Sequence, residues 1–224
     1  MDYRIISIGA LSSHELWDKQ GPTRTAHATT TLIETDHKKI LVDPALPPKI
    51  IAARLAERSG LSPDDITDVF LTNFRPAHRM GITAFPDANW FISEQERESV
   101  GPLLIEQFQQ QQNDEEAQEI LRHEIGILKK CQNAPDKLDQ QVDLFPLPGY
   151  TPGTAGLLLL ETNKTILVAG DAVPTSEHLQ MGRVLKGAYD IELAQGSFIE
   201  ATEIADLIIP GHDNIVPNKS RNGY

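Results

Sequence analysis

Between Met1 and Ala45 the apolar residues fall in short, largely β-branched runs: Tyr3-Arg4-Ile5-Ile6-Ser7-Ile8, Thr29-Thr30-Thr31-Leu32-Ile33-Glu34 and Ile40-Leu41-Val42. Runs of this length bounded by turn residues predict strands. The spacing then changes. From Lys49 to Ser59, Ile50, Ile51, Ala53, Leu55 and Ala56 lie close to a helical period, and Gly60 follows where a helix end favours glycine. Ser62-Pro63-Asp64-Asp65 suits a capped turn. Val69-Phe70-Leu71 is a short buried strand that delivers its end to Thr72-Asn73-Phe74-Arg75-Pro76-Ala77-His78. Ala88 to Ile92 predicts another strand, and Ser93 with Glu96 predicts a capping box that opens two helices filling Ser93 to Lys130. The run Gln109 to Gln112 reads as a solvated face and turn. Further strands are expected over Val142–Leu147, Ala155–Glu161, Thr165–Ala169 and Leu207–Ile209, with a helix around Ser197 to Ile204. No linker rich in Pro, Gly or Ser interrupts the chain, so one domain over residues 1–224 is expected, with a helical insert at about 93–130.

Composition narrows the class of protein. The 224 residues are 40% hydrophobic and 23% charged, enough for a packed core, and no apolar stretch reaches the length of a membrane span. Lys+Arg 20 against Asp+Glu 32 leaves a net charge of −12, which repels polyanions, so nucleic acid is not expected as a partner. The single cysteine, Cys131, has no partner for an internal disulfide, and MDYRIISIGALSS shows no basic segment leading into an apolar one. A reduced, cytoplasmic protein with no membrane segment is the expectation. Composition is silent on oligomeric state.

The candidate chemistry sits at strand ends. His78 follows Val69-Phe70-Leu71, Asp171 follows Ile166-Leu167-Val168-Ala169-Gly170, and His212 follows Leu207-Ile208-Ile209-Pro210-Gly211. Ends of neighbouring strands on one edge of a sheet converge, and two imidazoles with one carboxylate suit Zn, Fe or Mn. The other histidines, His14, His27, His37, His123 and His178, read as solvent-facing or locally hydrogen-bonded. His178, seven positions after Asp171, is the one whose loop could fold back to complete the site. Arg183 and Lys186 could hold an anion, although isolated basic residues usually solvate a surface.

Four segments in order resemble the metallo-β-lactamase-fold hydrolases: Leu71-Thr72 to Gly81, Leu147-Pro148-Gly149-Tyr150-Thr151-Pro152-Gly153-Thr154-Ala155-Gly156, Ala169-Gly170-Asp171, and Pro210-Gly211-His212. Leu32-Ile33-Glu34 and Ile40-Leu41-Val42-Asp43 also look like that family's first hairpin. The resemblance implies an α/β (α+β), four-layer αββα sandwich, with a metal site at one edge between the sheets and the helical insert overhanging it. Asp43-Pro44 reads equally as a simple turn or, as the resemblance implies, as a brace of the metal loop through backbone hydrogen bonds.

The chain departs from the family pattern where metal is bound. The family loop T-H-x-H-x-D-H is here Thr72-Asn73-Phe74-Arg75-Pro76-Ala77-His78, and the family's G-H-T-P-G is Gly149-Tyr150-Thr151-Pro152-Gly153. By resemblance, the first metal of the usual dinuclear zinc pair would have used the positions of Asn73, Arg75 and Tyr150. An arginine has no lone pair to give. His78 and His212 remain for the second metal, with Asp171 between the two and Ala77 in place of a carboxylate. An ion pair of Arg75 with Asp171, supported by Asn73 and the Tyr150 hydroxyl, is expected to fill the lost position. The departures favour a functionally altered, non-hydrolytic homologue, a pseudoenzyme with a degenerate metal site. In that reading Asn73, Arg75 and Tyr150 bind a small anionic ligand or a partner and no metal is needed. The alternative is a mononuclear hydrolase of esters, lactones or thioesters, with one divalent metal at His78, Asp171 and His212.

Overall fold

The computed structural model describes residues 1–13, 16 and 24–219. His14 lies outside the described residues. The chain forms two six-stranded sheets packed face to face, with helices on both outer surfaces. The first sheet holds β1 (Asp2–Ser7), β2 (Thr30–Glu34), β3 (Lys39–Val42), β4 (Asp68–Leu71), β5 (Asn89–Ile92) and β6 (Gln132–Asn133) in that spatial order. The second holds β7 (Lys137–Asp139), β8 (Val142–Pro146), β9 (Ala155–Leu160), β10 (Thr165–Gly170), β11 (Leu207–Pro210) and β12 (Val216–Pro217), again each beside the next. This is the expected αββα sandwich.

The strands read as unbroken apolar runs because both faces are covered. Side chains alternate between layers as the pleat requires. Ile33, Ile40, Val42 and Phe70 meet Leu157, Leu159, Ile166, Val168 and Ile209 between the sheets. Their neighbours Leu32, Leu41, Val69 and Leu71 point the other way, onto α1 (Pro48–Ser59), where Ile51 and Leu55 are buried, and onto the helical pair α3 (Glu94–Gln110) and α4 (Glu115–Lys130). On the far side Leu158, Leu167 and Ala169 pack on Phe198 and Ala201 of α6 (Ile191–Ile204). Each such side chain, fully buried, stabilises the fold by roughly 1.5–3 kcal/mol relative to exposure.

Helix ends follow the sequence signals with two exceptions, at the starts of α3 and α6. Gly60 closes α1 in the left-handed conformation at φ 76°, and Ser62 with Asp65 forms a capping box. At α3 the Ser93 hydroxyl accepts from the Glu96 N–H at 3.1 Å, but the Glu96 carboxylate turns away into the protein, so the expected box is half formed. Helix α6 begins at Ile191, capped by Asp190, earlier than its apolar spacing suggested. The short helices α2 (Pro76–Arg79) and α5 (Ser176–Met181) and the strands β6, β7 and β12 had no periodic signal, being too brief to show one.

The site owes its position to topology. β3 runs parallel to β4 in the first sheet, and β10 runs parallel to β11 in the second, so their C-terminal ends open on one edge of the sandwich. Backbone bonds tie that edge across the layers: Ala155 N–H donates to Thr72 O at 2.9 Å, and Thr29 N–H to Gly211 O at 2.7 Å.

A candidate metal centre between the two sheets

Asp43 ends β3 with φ 49°, the left-handed region that disfavours a side chain, and is almost wholly buried. Its carboxylate explains the strain. Oδ1 accepts from Thr72 N–H at 2.9 Å, and Oδ2 accepts from Thr72 Oγ1 at 2.7 Å and from His78 Nδ1 at 2.9 Å. Asp43 therefore ties the end of β4 to His78 through hydrogen bonds to both. His78 lies on α2, a single turn begun by Pro76, and its Nε2 stands 2.7 Å from Asp171 Oδ2.

Asp171 enters from the other sheet. Gly170 precedes it at φ 53°, and a Cβ there would approach the Thr72 side chain to 2.7 Å, so only glycine lets β10 and the β4 loop come this close. His212 follows β11 and Gly211. Its Nδ1 donates to the His27 carbonyl at 2.9 Å, while its Nε2 lies 2.9 Å from Asp171 Oδ1. The two imidazole rings are edge to face with centroids 5.7 Å apart.

His78, Asp171 and His212 thus offer ligand atoms all within 4.8 Å of one another, and all three residues are buried. Both histidines use Nδ1 on an oxygen acceptor and aim Nε2 inward, the arrangement in which a partner fixes the tautomer of a ligating imidazole. Asp171 Oδ1 is fully buried yet has no aligned hydrogen bond despite the nearness of His212 Nε2. A lone-pair donor left over in this way is what a cation would satisfy. Two imidazoles and one carboxylate, inward-facing, fit a single divalent metal.

The electrostatics of the cluster point the same way. Burial works against a charged His78, but the carboxylates of Asp171 and then Asp43 outweigh it and push the imidazole up to about 10. Burial likewise works to raise Asp171, and the imidazoles of His78 and His212 override it and hold the carboxyl well below its usual range. The cluster is a place for positive charge, which a proton on His78 supplies when no metal does.

The residues at the departed positions are arranged differently from expectation. The ion pair of Arg75 with Asp171 is not formed among the described residues. Both Asp171 oxygens face His78, His212 and Asn73, while Arg75 is exposed and its guanidinium lies over the Tyr150 ring, 4.5 Å from the centroid. Stacking on an aromatic face leaves the guanidinium edge in water, which avoids the cost of burying a charge beside an already paired carboxylate. Asn73 does come to the cluster: its Nδ2 donates to Asp171 Oδ2 at 2.9 Å, and its Oδ1 accepts from Arg75 N–H at 2.9 Å. Ala77 brings only a methyl group. His178 is buried with Nδ1 2.9 Å from Thr175 Oγ1 and is not part of the metal-ligating group. Lys186 lines the cleft over His78, Asp171 and His212, a cavity of about 410 Å³ that Arg75, Ala77 and Tyr150 also line.

Glu96 was legible only as a cap. It is 1% exposed, and its carboxylate accepts from Phe74 N–H at 2.9 Å, Thr151 Oγ1 at 2.7 Å and Gly153 N–H at 3.0 Å. It holds the β4 loop and the Gly149–Gly153 loop to α3. Thr72 and the His27 carbonyl were also missed, because orientation by a hydroxyl or a carbonyl leaves no residue-type signature.

A model of the metallo-beta-lactamase superfamily matches residues 24–212. Among solved structures, a candidate metallo-beta-lactamase of Thermotoga maritima is 20% identical with TM-score 0.68, covering 96% of this chain and 98% of that one. An AiiA variant of B. thuringiensis with N-decanoyl-L-homoserine bound at its active site is 20% identical with TM-score 0.66, covering 94% and 92%. AidC, a dizinc quorum-quenching lactonase, is 23% identical with TM-score 0.63, covering 78% of this chain and 67% of its own. A search of curated proteins finds no match.

Proposed function

We propose, from the premise that this chain belongs to the metallo-beta-lactamase superfamily, that it is a mononuclear metal-dependent hydrolase of esters, lactones or thioesters, with His78, Asp171 and His212 as the metal ligands. The observation that carries this reading is the pair of imidazoles, each oriented through Nδ1 by an oxygen acceptor, with Nε2 facing a carboxylate whose Oδ1 is otherwise unsatisfied. When bound, a divalent metal supplies Lewis acidity and lowers the pKa of water. The chain's own residues do the rest. Asp43 keeps His78 in the ligating tautomer, Asn73 orients Asp171, and the Arg75 guanidinium, exposed at the cleft wall, donates to substrate oxygen. The usual dinuclear arrangement is not proposed, because Asn73, Arg75, Ala77 and Tyr150 offer no imidazole or carboxylate for a second ion.

Elemental analysis of protein purified without chelator tests the reading. About one equivalent of Zn, Fe or Mn is expected in the wild type and none in His78→Ala or His212→Ala, together with hydrolysis on a panel of the three substrate types. Absence of metal uptake and of hydrolysis after incubation with these ions overturns it. One contact favours the second reading, a metal-free protein binding an anionic ligand: Asn73 Nδ2 already occupies Asp171 Oδ2 and lies 3.3 Å from His78 Nε2.

A further inference from the structure

A second cavity of about 560 Å³ lies under the helical pair, within the size range of small-molecule sites. Its walls are largely apolar, with Phe74, Val100, Leu103, Leu104, Leu121 and Pro152 among the lining residues. Leu103 and Ile120 are 56% and 58% exposed, so the apolar wall is open to solvent and reachable by a ligand. Arg75 and Tyr150 line both this cavity and the cleft over His78, Asp171 and His212, so the stacked pair is the shared wall between an apolar space and the candidate metal centre.

The charged groups around the cavity are spoken for, with one exception. Arg79 pairs with Glu124 and donates to Phe74 O, and Glu96 uses its carboxylate on Phe74, Thr151 and Gly153. Arg75 has no carboxylate partner among the described residues, and the face of Tyr150 holds its plane in place. A guanidinium so held has its fork of N–H donors ready for a planar oxygen pair.

We infer that the substrate is an ester or thioester of a medium-chain aliphatic acid, with the acyl chain in the cavity under α3 and α4 and the acyl oxygen at Arg75. Water adds to the acyl carbon and the C–O or C–S bond breaks; one proton of the water leaves on the alcohol or thiol, the other passes to solvent, and the carboxylate product remains against Arg75. The bond that is cleaved rests on the mononuclear hydrolase reading above. The seating of the chain does not, and the experiment separates the two by using metal-free protein.

Calorimetric titration of chelator-treated protein with decanoate, 1-decanol and acetate reads the cavity and the guanidinium independently. Decanoate is expected to bind, and acetate to give no measurable heat. Leu103→Trp, which fills the cavity from an exposed wall, is expected to weaken both long-chain ligands about ten-fold or more. Arg75→Gln is expected to weaken decanoate by a similar factor and to leave 1-decanol within about two-fold. Circular dichroism of both variants establishes that they are folded. Failure of decanoate to bind, or equal binding to wild type and both folded variants, overturns the inference. So does loss of decanoate and 1-decanol alike in Arg75→Gln, which would assign Arg75 a purely structural role. Decanoate binding by a protein that takes up no metal would leave the cavity assignment standing while the hydrolase reading falls.

Discussion

His78 stands between two carboxylates, 2.9 Å from Asp43 and 2.7 Å from Asp171, and this sets the pH behaviour of the metal-free protein. Its pKa is raised from 6.5 to about 10, so the stabilisation it gives is complete below about 6.5 and is lost as pH rises through about 10. Asp171 is shifted down, so its contribution is present above its ordinary value of 3.8 and is lost as pH falls through its depressed one. The denaturation midpoint of chelated protein is therefore expected to fall between about pH 7 and 10, and the fall should vanish in His78→Gln. A flat profile in the wild type would contradict the arrangement. Because a ligating imidazole must give up this proton, metal binding is expected to release protons, read as a dependence of calorimetric heat on the buffer's ionisation enthalpy. A further residue-scale test is Asn73→His with Arg75→His, Ala77→Asp and Tyr150→His, which should raise metal uptake from about one equivalent to about two. The triad itself was legible in the sequence, since each member follows an apolar strand. The partner of Arg75 was not, because an arginine's choice between a carboxylate and an aromatic face depends on where both lie in space.

At the scale of elements, the helical pair is fastened to the site by Glu96 and Arg79. Glu96 in the first turn of α3 satisfies two backbone N–H groups and a hydroxyl that belong to two different loops, and Arg79 in α2 pairs with Glu124 of α4. Gly153 is required for this approach, since a Cβ there would come within 1.9 Å of the Glu96 nitrogen. Glu96→Ala leaves those buried donors without acceptors and is expected to cost about 2–4 kcal/mol in urea unfolding, with Glu96→Gln recovering part of it. A cost below about 0.5 kcal/mol would mean that the helical pair docks independently of the loops. The two helices were evident from Ser93 and the long polar stretch, and residues of both line a cavity together with Arg75 and Tyr150. The turning of Glu96 away from its own N-terminus could not be read, because a cap and a buried clamp have the same residue spacing.

For the whole molecule, the candidate centre is a joint between the sheets: His78 comes from the first, Asp171 and His212 from the second. A metal bound there ties the two layers together and binds only the native state. At free metal one hundred times the dissociation constant it is expected to add about 2.7 kcal/mol of stability, seen as a rise in Tm that Asp171→Asn abolishes. Equal Tm with and without metal would place any bound ion elsewhere. Among the described residues no helix is long and apolar enough to cross a membrane.

The sequence by itself determined where the longer strands and helices lie along the chain, many of the turns between them, and the residue types of the candidate donors, because these follow from hydrophobic periodicity and residue type. Tertiary structure decided the rest. Only the packing of one sheet on the other brings Asp171 between two histidines from distant segments, gives His78 two carboxylate neighbours, and leaves Arg75 on the ring of Tyr150 at the wall of an apolar cavity. Periodicity states which face a residue takes, but the distance between two faces is set by what packs between them.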